Sequence, residues 1–96
     1  MKTANLTDIE KDWKKRGFSL GVWTDAPGQI WEDYVHDTDE LFMVVEGKVE
    51  LEMHGKKWCP ESFEEIMIPA RMHHSVRNVG GTTSRWLYGY KAPGRA

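Results

Sequence analysis

Two short stretches hold the side chains best suited to chemistry: Tyr34-Val35-His36-Asp37-Thr38-Asp39-Glu40 and Pro69-Ala70-Arg71-Met72-His73-His74-Ser75-Val76-Arg77-Asn78. On an extended strand successive side chains alternate between faces. Glu32, Tyr34 and His36 are therefore expected to share one face, and Met72, His74, Val76 and Asn78 to share another. Glu40 opens the next strand after a short turn, which can return its carboxylate to His36. Two imidazoles and one carboxylate form a ligand set with open positions, which suits iron(II) and also accommodates manganese, zinc or nickel. Open positions let a water or a substrate reach the ion. The expected metal ligands are His36, Glu40 and His74, with Tyr34 placed to be a fourth ligand or a partner of bound water.

Around this set, Glu32, Phe42, Met72 and Trp86 are candidates for the wall of a substrate pocket, and Tyr34 or Glu32 for a nearby proton donor or acceptor. Trp86, Tyr88 and Tyr90 alternate along one strand, a pattern read as packing. His73 and Arg77 fall on the face opposite His74, so a surface or interface position is expected for His73. His54 stands in a hairpin turn beside Gly55, and Asp37 and Asp39 read as solvated turn residues.

The elements that must position these residues are mostly strands. Segments rich in β-branched and aromatic residues alternate with turn signals at Asp25-Ala26-Pro27-Gly28, Glu46-Gly47, His54-Gly55, Cys59-Pro60 and Gly80-Gly81. This spacing predicts an all-β sandwich or barrel, with strands near residues 18–23, 29–36, 40–45, 48–53, 56–58, 63–68, 73–78 and 84–90. Val49, Leu51 and Met53 alternate with Lys48, Glu50 and Glu52, giving one buried and one wet face. Leu41 to Val45 is apolar on both faces and needs cover on both, from the barrel interior and from either a helix or another subunit. One helix is expected before Gly17, opened by a Thr7-Asp8-Ile9-Glu10 capping box and closed by Gly17 after Lys14, Lys15 and Arg16.

At the residues that carry the chemistry the chain resembles the cupin family. The first cupin motif reads G(X)5HXH(X)3-4E(X)6G, and His36, Glu40 and Gly47 match its second histidine, glutamate and closing glycine. The second reads G(X)5PXG(X)2H(X)3N, and Pro69, His74 and Asn78 match it. Tyr34 stands where the first histidine usually does, Arg71 replaces the glycine of the second motif, and Phe63 replaces its opening glycine. The resemblance spans about Gly28 to Tyr90 and implies a jelly-roll β-barrel, with residues 1–17 as a helical segment and 18–96 as the barrel of a single domain. It further implies a divalent metal ion and a small-molecule ligand. Cupins include dioxygenases, isomerases, lyases, storage proteins and ligand-binding domains, so the fold alone does not choose an activity.

The 96 residues suffice for one domain. Thirteen basic against 15 acidic residues, without a basic block, argue against a nucleic-acid partner. No stretch approaches the roughly 20 apolar residues of a membrane span, so a cytoplasmic protein is expected. Cys59 cannot form an internal disulfide and reads as a small, partly buried side chain beside Pro60. The apolar strand at Leu41 to Val45, with Trp13, Trp23 and Trp31, leads to the expectation of a homodimer. Two functions follow: a metal-dependent enzyme or metal-assisted binding protein for a small polar molecule, or a non-catalytic ligand-binding module with no metal or only a structural one.

Overall fold

The computed structural model describes residues 5–92; the first and last four residues of the two expected segments lie outside the described residues. Helix α1 (Leu6–Lys15) is followed by strands β1 (Gly21–Asp25), β2 (Ile30–Tyr34), β3 (Glu40–Glu46), β4 (Val49–Met53), β5 (Lys56–Trp58), β6 (Ile66–Ile68), β7 (His74–Asn78) and β8 (Ser84–Tyr90). They form two four-stranded sheets, ordered β1-β8-β3-β6 and β2-β7-β4-β5. Every pairing is antiparallel. This is the expected all-β jelly roll with one short helix.

Alternation along β3 divides the core in two. Phe42 and Val44 pack between the sheets with Val49, Leu51, Ile68 and Val76. Leu41 and Met43 point the other way and meet Trp13, Phe18 and Leu87 beneath the helix. The second face of this strand is thus covered by α1, as one of the two alternatives required, and Trp13, expected to contribute dimer surface, is 0% exposed. Seating the indole demands a bare backbone opposite it. A Cβ on Gly89 would stand 2.8 Å from the Trp13 ring and 2.1 Å from the Ser19 carbonyl oxygen.

The helix is fastened by polar contacts as well. Trp13 Nε1 donates to Glu65 Oε1 at 3.1 Å, and Arg16 makes a two-pronged pair with Glu65 at 2.9 and 2.7 Å. Its opening residue is not Thr7: Asn5 is the N-cap, and its side chain accepts from the Thr7 amide. Gly17 ends it at φ +90°, in the left-handed region that favours glycine. Two strands start three residues later than expected. β1 begins at Gly21, with Phe18 joined to Lys91 only by an isolated bridge, and β6 begins at Ile66. Cys59 is exposed, while the neighbouring Pro60 takes the buried position.

Candidate metal centre and aromatic cavity

The site is assembled by one bulge and one turn. In β2, Trp31 lies opposite Val76 and Tyr34 opposite His74, so Glu32 and Asp33 together face the single residue Ser75. That extra residue is a β-bulge. Asp33 adopts φ +55°, its amide donates to Ser75 Oγ at 2.9 Å, and its carboxylate meets His73 Nδ1 at 2.8 Å. The bulge turns both Trp31 and Tyr34 toward the cavity and sends Glu32 outward, where it pairs with Arg77 at 2.6 Å. The expectation that Glu32 lines the site is therefore corrected: simple alternation fails where a residue is inserted. His73 lies outside, exposed, as its parity requires.

The turn Pro69-Ala70-Arg71-Met72 closes with the Met72 amide donating to Pro69 O at 3.1 Å. Arg71 sits at φ +63° and Phe63 at φ +68°, so both positions where the motif has glycine keep a left-handed backbone without one. The Arg71 amide donates to His36 O at 2.6 Å, and the Ala70 amide to Asp39 Oδ1 at 2.8 Å. These bonds tie the His36 loop to the turn that leads into His74. Asp39 is consequently a structural anchor, not the solvated residue expected. Asn78, 4% exposed, donates to Thr82 O at 2.7 Å and Ala26 O at 3.1 Å, holding the loops at the far end of β7.

His36, Glu40 and His74 offer ligand atoms that all lie within 4.8 Å of one another. Glu40 Oε1 is 3.4 Å from His36 Nε2 and 3.6 Å from His74 Nε2. Donors about 2.1 Å from one ion stand about 3.0 to 3.5 Å apart, so the spacing fits a shared metal. Glu40 Oε1 is buried without a hydrogen-bond partner, a costly state for a polar atom unless something else meets it. His74 Nδ1 lies 3.0 Å from Met72 O. A carbonyl only accepts, so Nδ1 carries the proton and Nε2 keeps its lone pair for a ligand. The three residues can hold a divalent ion.

Burial pushes the Glu40 carboxyl up to about 7 and holds the His74 imidazole below its ordinary value. Both shifts arise because a charged form is poorly solvated there. The Tyr90 hydroxyl stands 3.5 Å from His36 Nε2, and burial, then the Glu40 charge, pushes its phenol up to about 12. It stays a neutral donor at physiological pH.

Beside these groups opens a cavity of about 390 Å³, walled by Trp23, Trp31, Tyr34, Trp86, Tyr88 and Tyr90 with Val76. Of the expected wall residues only Trp86 borders it. Phe42 is fully buried behind Trp86 at a ring separation of 5.0 Å, and Met72 packs on the core and an outer groove. The residues that sequence reasoning missed are Trp23, Trp31, Tyr88 and Tyr90. The alternation of Trp86, Tyr88 and Tyr90 was the available signal, and it marks a cavity wall rather than packing alone.

This fold and site define a cupin: residues 21–90 match the family described as cupin domain, and the chain belongs to that family. A Streptomyces cyaneus protein named polyketide synthase CurC is 31% identical over 70 residues, covering 72% of this chain and 46% of its own length. The chain thus spans about half of that relative. The cupin domain of Schizosaccharomyces pombe Cnp3 superposes with a TM-score of 0.72 at 18% identity, over 80% of this chain and 57% of that one. A predicted oxalate decarboxylase from Thermotoga maritima gives 0.71 at 16% identity, over 86% and 74%. An oxalate oxidase gives 0.68 at 22% identity, over 80% and 43%. At these identities the solved structures share the fold. No helix among the described residues is long and apolar enough to cross a membrane.

Proposed function

We propose that the protein is a metal-binding cupin that acts on a small molecule having a flat apolar body and at least one oxygen donor. The observation carrying this reading is the buried Glu40 Oε1, without a hydrogen-bond partner and facing the Nε2 atoms of His36 and His74. When bound, a divalent ion there would supply Lewis-acid polarisation of a ligand oxygen. Two imidazoles and one carboxylate accept iron, manganese, nickel or zinc. The Tyr90 hydroxyl can donate to an oxygen near His36, and Tyr34 serves as a further ligand or as a partner of bound water. The aromatic walls narrow the expectation of a small polar molecule to one with a polar end and an apolar remainder. Similarity to a protein named polyketide synthase supports this, because polyketides carry oxygen functions on a carbon framework. A cytoplasmic location and a homodimer belong to the same reading.

Elemental analysis tests it on protein purified without affinity nickel and then incubated separately with iron, manganese, nickel and zinc. One bound ion per chain is expected for at least one metal. Tyr34→Phe, which deletes only the oxygen, separates direct ligation, with a large loss of affinity, from a water-mediated role. Absence of stoichiometric metal from the parent under every condition would overturn the reading.

A further inference from the structure

Asp25 lies at the end of β1, 3% exposed, and is not among the residues that border the cavity. Its carboxylate accepts from three indoles. Oδ1 takes Trp23 Nε1 at 2.7 Å and Trp31 Nε1 at 3.0 Å, and Oδ2 takes Trp31 Nε1 at 3.1 Å and Trp86 Nε1 at 3.2 Å. These indoles come from β1, β2 and β8, so one carboxylate joins the aromatic wall across both sheets. Among the described residues it makes no salt bridge; indole donors alone meet its oxygens. A tryptophan has a single N–H donor and no acceptor. With all three donors drawn to Asp25, the indole surface left to the cavity offers only π faces and ring edges. The rings are also fixed at steep mutual angles, Trp23 to Trp31 at 77° and Trp23 to Trp86 at 41°.

We propose that Asp25 is the positioning residue that sets the cavity's specificity, by gathering the indole N–H groups of Trp23, Trp31 and Trp86 away from the ligand so that the wall selects flat aromatic molecules. This rests on the reading that the cavity takes a small molecule, and not on the metal. Flat rings gain edge and face contacts with each indole that a puckered ring of the same size does not.

The test uses metal-free protein and two probes with the same ten-carbon framework and one hydroxyl each, 2-naphthol and decahydro-2-naphthol. Because the phenol is the stronger hydrogen-bond donor, the deciding quantity is the change in their ratio between the parent and Asp25→Asn. The parent should prefer 2-naphthol by about tenfold, the yield of one or two aromatic contacts. Asp25→Asn sets an amide N–H against an indole N–H, and the preference should fall to near unity. With tryptophan labelled at the indole nitrogen, the signals of Trp23, Trp31 and Trp86 should move in Asp25→Asn, while those of Trp13 and Trp58 stay. Should that variant not fold, indole N–H exchange in the parent decides. Slow exchange at Trp23, a residue 40% exposed, supports the carboxylate bond, and exchange as fast as a solvent-exposed indole overturns it. Unchanged indole signals, or an unchanged preference in Asp25→Asn, would likewise overturn the proposal. A parent that binds metal but neither probe would sink this inference alone, and one that binds the probes but no metal would sink the metal reading alone.

Discussion

Glu40→Gln should have opposite effects on the metal-free and metal-loaded protein. In the metal-free fold burial raises this carboxyl from 4.5 to about 7. A folded-state value above the unfolded one means stability that is complete below about pH 4.5 and is lost as pH rises through about 7. The full loss is about 3 kcal/mol, at about 1.4 kcal/mol for each tenfold change in the protonation equilibrium. Glutamine resembles the protonated acid in shape and can donate to His74 Nε2, 3.6 Å from Glu40 Oε1. Without metal, the variant should therefore nearly match the parent at pH 5 and exceed it by about 2 to 3 kcal/mol at pH 8. With saturating metal the order should reverse at pH 8, because the parent gains binding free energy that the amide forfeits. Urea denaturation at both pH values, with and without chelator, measures all four quantities. A metal-free variant equal to or weaker than the parent at pH 8 would refute the burial of an uncompensated carboxylate.

Three further outcomes follow from the packing and the loops. Gly89→Ala should destabilise the fold by more than about 3 kcal/mol in chemical denaturation, beyond ordinary overpacking, since the new carbon meets the Ser19 carbonyl at 2.1 Å. A loss below about 1 kcal/mol would contradict the tight seat drawn for Trp13. Arg71→Gly should leave the thermal midpoint unchanged or raise it, by up to about 1 kcal/mol of stability, because relief of the left-handed backbone exceeds the entropic cost of glycine; a clear drop would mean the Arg71 side chain is needed. With the strand under the helix covered, the exposed Val22, Trp23 and Ile30 are the apolar surface left for a second copy; sedimentation velocity at micromolar concentration should show a species of twice the chain mass, and a clean monomer would remove the homodimer.

The strand pattern and both motif segments were legible because period-two alternation and turn residues act locally. Val49, Leu51 and Met53 announced β4, and the turn signals at Glu46-Gly47 and His54-Gly55 bounded it. The convergence of His36, Glu40 and His74 followed from parity and spacing, and their atoms do meet. What escaped was set by tertiary contacts. The bulge at Glu32-Asp33 depends on Ser75 and His73, some 40 positions away, and no residue in β2 signals it alone. Asp25 read as a turn residue, yet it is buried because three tryptophans from three strands enclose it. The dimer surface expected at Trp13 and the strand beside it vanished because the helix folds back onto that strand, guided by Arg16 and Glu65. Composition counts aromatic residues without saying which side of a sheet they occupy.

The central claim is that His36, Glu40 and His74 bind one ion as a set, and metal stoichiometry in two adjacent variants tests it most directly. His74→Ala removes a buried imidazole whose Nε2 faces Glu40, whereas His73→Ala removes an exposed one bonded to Asp33. At matched pH, to keep ligand protonation equal, His73→Ala should retain one ion per chain and His74→Ala should retain none while the barrel still folds. Equal metal content in the two variants would contradict the account.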